Sequence, residues 1–492
     1  MRRPILLAMS LLLLSACMMG PNYQRPAMPT PEAWRLAPAT SESIANLPWW
    51  ELFKDGELQK LIRTSLEENL DLRVAAATVE QFQNQLVIAK FDLVPSLEYG
   101  GNAFGYRNTN NNVLPVGGGA AVPAGGKAGG LSLTYEKVDT GLKWELDLWG
   151  RIRRNIEATR AQLLARAENQ RGVIIGLVSN VAQSYFTVRA LDLQVEIAAR
   201  TLKAWDEAVR LTRSRYQQGY VSKLDLDRFE AEQAGTKAQL ANLEKQVVQA
   251  ENQLSVLLGR KPMRIPRGLA LTEQPMPPNV PPGLPSDLLR QRPDILQAEQ
   301  ELAAATANIG VSEAMRFPQL ALTGAVGGAG FQISGSSVGP FAIFSGSASL
   351  TGPLLNATAL GYQVKVSEAQ TKKALAQYEN AILTAFKEVE DALIAVQKTR
   401  EQREAQEAQV AALQSALTLA DKRYRGGFAS YLDVLTAQRD LFQAELGLAS
   451  TRQQNLVSVV QLYKALGGGW SPARPSEAET QPVSPSGVKG GG

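Results

Sequence analysis

The chain aligns with itself. Residues 145–259 return as residues 353–467 at one constant offset of about 208 residues, with no gap needed. The anchors are Arg215-Tyr216-x-x-Gly219-x-x-Ser222-x-Leu224-Asp225, which recurs as Arg423-Tyr424-x-x-Gly427-x-x-Ser430-x-Leu432-Asp433, and Leu258-Gly259, which recurs as Leu466-Gly467. A fixed long period marks a duplicated structural unit, so the fold must be assembled from two similar supersecondary pieces. The unit reaches further upstream, because residues 66–95 match residues 289–318 at an offset of about 223, with Asp71 opposite Asp294 and Pro95 opposite Pro318. The change of offset falls in the Asn/Gly/Pro-rich residues 108–130, which are longer than their counterpart around 334–340. The copies share a scaffold and differ in one loop.

Proline placement shows what each unit is made of. None occurs between Pro123 and Pro262 or between Pro353 and Pro472, and both windows are rich in Ala, Gln, Glu, Leu, Lys and Arg, which are strong helix formers. In the first window Leu177, Val181, Ser184, Val188, Leu191 and Val195 step by four and three residues, and Ile382, Phe386, Val389, Leu393 and Val396 do so in the second. This seam is expected of helices packed side by side over long distances. The first helix is expected to run from near Arg151 to Tyr216, on the order of 100 Å at about 1.5 Å per residue. Gly219 and Gly427 end the outgoing helices, and Ser222 and Ser430 are placed as N-caps of returning ones, so each copy holds a long helical hairpin.

Ahead of each hairpin the period changes to two. Leu142, Trp144, Leu146 and Leu148 alternate with Lys143, Glu145 and Asp147, which implies strands with one apolar and one polar face. Residues 95–106, 129–149, 318–331 and 339–354 supply about four strands, two per copy. A small soluble sheet would share the alternation; length, glycine content and weak patterning point to transmembrane strands. Four strands cannot close a barrel in lipid, where the smallest single-chain bacterial barrels use about eight, so membrane residence would require several chains to share one barrel.

The N-terminus reads as an address. Arg2-Arg3, an apolar run over residues 5–14 too short to span a bilayer, and Leu14-Ser15-Ala16-Cys17 form a secretory signal ending in small residues before a cysteine. That ending resembles the lipobox of bacterial lipoproteins, which implies removal of residues 1–16 and lipid modification (palmitate included) of Cys17. Cys17 is the sole cysteine, so no disulfide framework accounts for it. Met18, where an inner-membrane lipoprotein carries Asp, favours the outer membrane. The expected organisation is a lipidated extended segment 17–60, a first repeat 61–261 of helix, two strands and hairpin, a linker 262–285, a second repeat 286–470 and a disordered tail 471–492.

Composition narrows the chemistry. In 492 residues there is no histidine, and a net charge of +4 is mixed along the chain without a basic stripe. The commonest general base and transition-metal ligand is missing, and no phosphate loop, nucleophile elbow or calcium loop is present. No enzyme activity, cofactor, metal or nucleic-acid partner is expected.

Taken together, the Cys17 lipobox with Tyr23-Gln24-Arg25-Pro26, Trp49-Trp50, the run Trp144-Glu145-Leu146-Asp147-Leu148-Trp149-Gly150-Arg151, Arg292-Pro293-Asp294-Ile295 and Leu462-Tyr463-Lys464-Ala465-Leu466-Gly467-Gly468-Gly469-Trp470 resemble the TolC-like outer-membrane efflux channels, in particular their lipoprotein branch. The resemblance covers nearly the whole mature chain. It implies a mainly α fold with membrane β structure: a homotrimer whose protomers give four strands each to a twelve-stranded barrel, and their helices to a periplasmic tunnel. It also implies a periplasmic adaptor, or membrane-fusion, protein and a proton-driven inner-membrane pump as partners. The channel would conduct passively in multidrug or metal efflux.

The same resemblance assigns candidate sites. Gly219, Tyr220, Val221 and Ser222, with Gly427, Phe428, Ala429 and Ser430, are implied to form the tips that meet the adaptor. Tyr424, Leu432, Asp433 and Arg439 match positions lining the closed constriction, and Thr436 stands where some relatives carry a second aspartate. The matched positions Lys223 and Tyr431, and Asp227 and Leu435, differ, so one copy is expected to control the constriction and the other to support it. The alternative is a non-conducting periplasmic adaptor or scaffold lipoprotein. An adaptor usually has one hairpin between soluble β domains, whereas two hairpins are indicated here.

Overall fold

The computed structural model describes residues 18–35, 53–107, 132–275, 285–333 and 336–468. Helices α1 (Gly56–Glu68) and α2 (Leu70–Phe91) lead to strands β1 (Ser96–Arg107) and β2 (Ser132–Leu146), then to α3 (Arg151–Gln217) and α4 (Lys223–Leu257). The order repeats as α5 (Pro285–Gln291), α6 (Pro293–Ala314), β3 (Gln319–Ile333), β4 (Ser336–Thr351), α7 (Ala357–Arg425) and α8 (Tyr431–Ala465). The duplication thus returns as a repeated element order. Cys17, Trp49-Trp50, residues 108–130 and the tail 471–492 lie outside the described residues.

Each repeat opens with two helices where one was expected. Asn69 interrupts the first pair with an extended backbone, and its side-chain oxygen accepts from the Leu72 amide at 2.9 Å while its amide nitrogen donates to the Leu257 carbonyl at 2.9 Å. In the second pair Pro293 starts α6, since a proline has no N–H to continue the preceding helix and its fixed φ suits the first helical position. Strand β2 ends before Asp147, earlier than alternation suggested. The Asp147 carboxylate accepts the Ile152 and Arg153 amides at 3.0 Å each and so starts α3. Strand β4 begins at Ser336, three residues earlier than expected, because Ser336, Ser337 and Val338 pair with Ile333, Gln332 and Phe331 beyond a bulge that takes up Gly339 and Pro340.

The described residues fall into two compact units. One takes in the described residues 18–26, 80–107, 132–164, 299–333 and 336–376; the other takes in 27–35, 53–79, 165–275, 285–298 and 377–468. In the first, β1-β2-β3-β4 form one antiparallel sheet, so the two copies join through β2 and β3. Trp149 is fixed beside the sheet by stacking on Phe317 at 4.7 Å and by donating to the Pro318 carbonyl at 2.8 Å. Among the described residues no helix is long and apolar enough to cross a membrane.

The second unit is helical, and its core follows the seam read from sequence. Leu177, Val181, Val188 and Leu191 are buried from α3, and Ile382 and Val389 from α7, each side chain contributing about 1.5–3 kcal/mol when fully covered. One carboxylate sits at the edge of this core. Asp55, 1% exposed, accepts the Glu57 and Leu58 amides at the start of α1, the Tyr185 hydroxyl at 2.7 Å, the Leu269 amide at 3.0 Å and the Gln274 side chain at 2.7 Å. It ties α1, α3 and the start of the linker together.

Burial pushes the Asp55 carboxyl up, but the bonds from Gln274, Tyr185, Leu58 and Glu57 outweigh it and hold the group below its ordinary value. A depressed folded value means that the stabilisation is complete above about pH 4, where an unfolded aspartate is already ionised, and is lost as pH falls through the folded value. Asp55→Ala leaves buried donors unpaired and should cost about 1–3 kcal/mol. In thermal melts of detergent-solubilised protein, the parent should lose stability below about pH 4 and the variant should start lower with a flatter acid limb. Equal melts at pH 7 would mean that the cluster contributes nothing net.

Candidate tip and gate site

Both hairpins turn in the same way. At the end of α3 the Gly219 amide donates to the Tyr216 carbonyl and the Tyr220 amide to the Arg215 carbonyl, each at 2.9 Å. At the end of α7 the Gly427 amide donates to Tyr424 at 3.0 Å and the Phe428 amide to Arg423 at 2.9 Å. These are Schellman closures, which require a left-handed residue at the turn, and Gly219 (φ +78°) and Gly427 (φ +75°) supply it. Ser222 then caps α4, its hydroxyl accepting from the Asp225 amide at 3.2 Å. Tyr220 and Phe428 occupy equivalent places and are more than three-quarters exposed, while Val221 and Ala429 are half-buried.

The four candidate gate residues do not form one cluster in the single chain. Tyr424 accepts a hydrogen bond from Arg215 Nη1, whose guanidinium carbon also lies 5.7 Å from the Tyr424 ring centre. Asp433 sits in the first turn of α8 and accepts the Ser430 backbone amide at 3.2 Å, so its carboxylate is engaged as the N3 partner of a capping box. Arg439 pairs with Asp440 at 3.4 Å with both side chains exposed, and Leu432 is half-exposed. The geometry joins Tyr424 to the first hairpin and assigns Asp433 to its own helix end.

Several residues that the sequence does not mark for these contacts contribute to them. The Tyr431 ring stands edge-on to Tyr424 at 4.4 Å and tilts onto Phe229 at 4.5 Å, and Phe229 meets Trp205 at 6.0 Å. Trp205, Val209, Phe229 and Leu435 are buried together, so the two hairpins share a small aromatic core just behind their tips. Burial, with Tyr424 and Asp421 adding, pushes the Tyr431 hydroxyl up to about 12, so this contact stays neutral at every working pH. The difference between Lys223 and Tyr431 at matched positions was the available sequence signal. Its meaning depended on the partner: a lysine could not stack between Phe229 and Tyr424. Arg215 carries no such mark, since its repeat equivalent is also an arginine, Arg423.

The residues just after Cys17 are held in the sheet unit. The Met19 amide donates to the Trp149 carbonyl at 3.1 Å. Arg154, 1% exposed, donates to the carbonyls of Met19 and Gly20 and to the Asn22 side chain, each at 2.9 Å, and pairs with Glu157 at 2.7 Å. Gly310 makes room for this contact, because a Cβ there would lie 2.5 Å from the Met19 oxygen. Downstream, the Tyr23 hydroxyl and the Arg25 guanidinium both reach Glu299. Arg154 stands unmarked beside Arg151 and Arg153, though the matching place in the second copy holds Tyr362. Elsewhere, Arg292 of the Arg-Pro-Asp run is buried and donates to the Ala465 carbonyl at 2.7 Å, with Asp294 and Glu388 as ion partners.

Residues 61–260 and 284–468 match the family model described as outer membrane efflux protein. The chain is 35% identical over 471 residues to the toluene efflux pump outer membrane protein TtgC of Pseudomonas putida, covering 94% of this chain and 95% of TtgC. It is 32% identical over 465 residues to the cation efflux system protein CusC of Escherichia coli, covering 93% and 97%. The open state of the Neisseria gonorrhoeae MtrE outer membrane channel superposes with a TM-score of 0.79 at 30% identity, over 92% of this chain and 98% of MtrE.

Proposed function

The chain belongs to the outer membrane efflux protein family, and from that membership we propose how this sequence builds and gates an efflux conduit. It is the outer-membrane channel component of a tripartite efflux pump, working with a periplasmic adaptor and an inner-membrane pump, and it is a transporter component rather than an enzyme. In the finer reading the pump is proton-driven, substrates are conducted passively, and Cys17 carries the lipid anchor. Three copies close one twelve-stranded barrel in the outer membrane and contribute their helices to a periplasmic tunnel.

The observation that carries this reading is the sheet. It has four strands with β1 and β4 at its edges, and one face presents Leu97, Tyr99, Val138, Val326, Phe344 and Leu350 to solvent. An apolar face suits lipid, but open strand edges do not, since an unpaired amide in hydrocarbon costs several kcal/mol. Copies of the same sheet joined edge to edge satisfy both demands. A non-conducting scaffold would leave that face unexplained.

At the tips, the turns at Gly219–Ser222 and Gly427–Ser430 receive the adaptor. Tyr424, Leu432, Asp433 and Arg439 control the constriction by an equilibrium between closed and open helix packings. The bond from Arg215 to Tyr424 and the stack of Tyr431 on Phe229 support this, because they couple the two hairpins where an adaptor would act.

Neutralising Asp433 removes a charge that in this reading holds the closed helix packing, so single-channel conductance in planar bilayers should rise at least twofold. Asparagine keeps an oxygen that can accept the Ser430 amide, so the capping box is weakened by at most about 1 kcal/mol and Asp433→Asn trimers should still assemble. Unchanged conductance in assembled trimers would leave Asp433 as a helix cap alone. A water-soluble monomer in place of a conducting trimer would overturn the channel reading.

A further inference from the structure

In a strand, residues two apart share a face, and the unbroken register from β1 through β3 extends those faces across the sheet. Over the helix-side part of the strands the division is that of a membrane barrel. Tyr99, Val138, Val326 and Phe344 lie on one face; Glu98, Asn102, Lys137, Asp139 and Lys143 lie on the other. Exposure separates them in the same sense: Tyr99 is 93% and Val138 70% exposed, against 27% and 20% for the ion-paired side chains of Lys137 and Asp139. The apolar face suits lipid, and the charged face is the one that would line a lumen.

Toward the far end of the strands this division inverts. The outer face becomes Thr134, Glu136 and Gln332. The face of Lys137 and Asp139 becomes aromatic, with Phe104 directly opposite Tyr135, Tyr135 opposite Phe331, and the Phe331 and Phe341 rings edge to face at 6.1 Å. Each of the four strands contributes one ring to this row, Phe341 standing opposite Ala329 and reaching the Phe331 ring across a β-bulge. Tyr106, Leu133 and Ile333 continue the same face one row further out. An aromatic girdle that anchors a barrel in the lipid interface belongs on the outer face, where this row is not.

We infer that the outer mouth of the pore carries a second constriction, apolar and aromatic, that hydrated ions cross poorly and amphipathic aromatic solutes cross readily. The inference rests on the trimeric barrel proposed above, in which three copies of the row face one another across the lumen. Rings of apolar side chains resist ions by dewetting. The same rings offer stacking surfaces to planar solutes, and their π faces attract organic cations. The constriction therefore selects by desolvation, separately from any acidic ring at the periplasmic end.

The test uses neighbouring residues of β3 on opposite faces. Ala325 lies on the charged face below the row, and Val326 lies on the apolar face. Since Cys17 is the sole native cysteine, the parent chain is the blank for single-cysteine variants. A charged, membrane-impermeant maleimide and a neutral aromatic one of similar size are added outside whole cells lacking general porins. With Ala325→Cys the neutral reagent should react at least ten times faster than the charged one, after correction for their rates on a free thiol. Adding Phe331→Ser and Phe341→Ser should speed the charged reagent at least tenfold. Val326→Cys should stay unlabelled by the charged reagent throughout.

Equal corrected rates on Ala325→Cys would overturn the constriction while leaving the barrel intact. Labelling of Val326→Cys by the charged reagent, with Ala325→Cys protected in every background, would overturn the barrel reading itself. Should the serine variants fail to assemble, the ratio of the two reagents on Ala325→Cys alone decides.

Discussion

Replacing Gly219 and Gly427 together by tryptophan should reduce efflux to the level of a strain lacking the channel, while the protein still reaches the outer membrane as assembled trimers. Both glycines have positive φ, where an L side chain is strained by roughly 1–2 kcal/mol. A Cβ at either position meets nothing within 4 Å, so the added ring projects from the turn and does not disturb the helices. The strain is small beside the packing of two hairpins whose shared core includes Trp205, Phe229 and Leu435. What the substitution alters is the surface that the turns offer to an adaptor.

Two measurements separate docking from capping. Dye accumulation in cells with the cognate adaptor and pump reports efflux, and trimers resolved from outer-membrane extracts report assembly. Gly→Ala at both sites applies the same backbone strain without the bulk and should keep most of the efflux. Loss of efflux in the alanine pair would assign the glycines to turn geometry alone. Persistence of efflux in the tryptophan pair would place the docking surface elsewhere.

The second large effect is expected at Arg154. A fully buried guanidinium that donates to Met19, Gly20 and Asn22 and pairs with Glu157 is the main fixture of the segment that follows Cys17. Truncating it leaves two carbonyls and a side-chain oxygen without their donor, at about 1–3 kcal/mol for each buried group left unpaired. Arg154→Ala should therefore release residues 18–22 from the start of α3. The released segment should be cut by a protease that leaves the parent intact, and the yield of trimers should fall several-fold. Arg154→Lys restores one positive charge but cannot span three acceptors, so it should recover only part of the yield. A protease-resistant N-terminal segment in Arg154→Ala would show that Tyr23 and Arg25, through Glu299, suffice to hold it.

The legible part of this protein is local. Helix formers without proline, a glycine at each turn with a serine three residues on, and alternation ahead of each hairpin are short-range instructions, and a repeat at constant offset makes each legible twice. The splitting of the first leading pair was less legible, because Asn69 breaks its helix by a bond to Leu257, far along the chain, whereas Pro293 is a local mark of the second split. The start of α3 was in plain view once Asp147 is seen as its cap; alternation alone ran the strand past it.

By itself the sequence determined the duplicated hairpins, the strand pairs and the membership of a channel family, since these follow from periodicity, turn chemistry and motif. Only the tertiary structure decided which partners each special side chain takes. It set Arg215 against Tyr424, Tyr431 between Tyr424 and Phe229, Tyr185 on Asp55, and Arg154 on the residues after Cys17. It also brought one aromatic ring from each strand into a single row. The physical reason is that backbone preference is read within a few residues, whereas a buried charge or ring is satisfied by whatever packing brings to it from elsewhere in the chain.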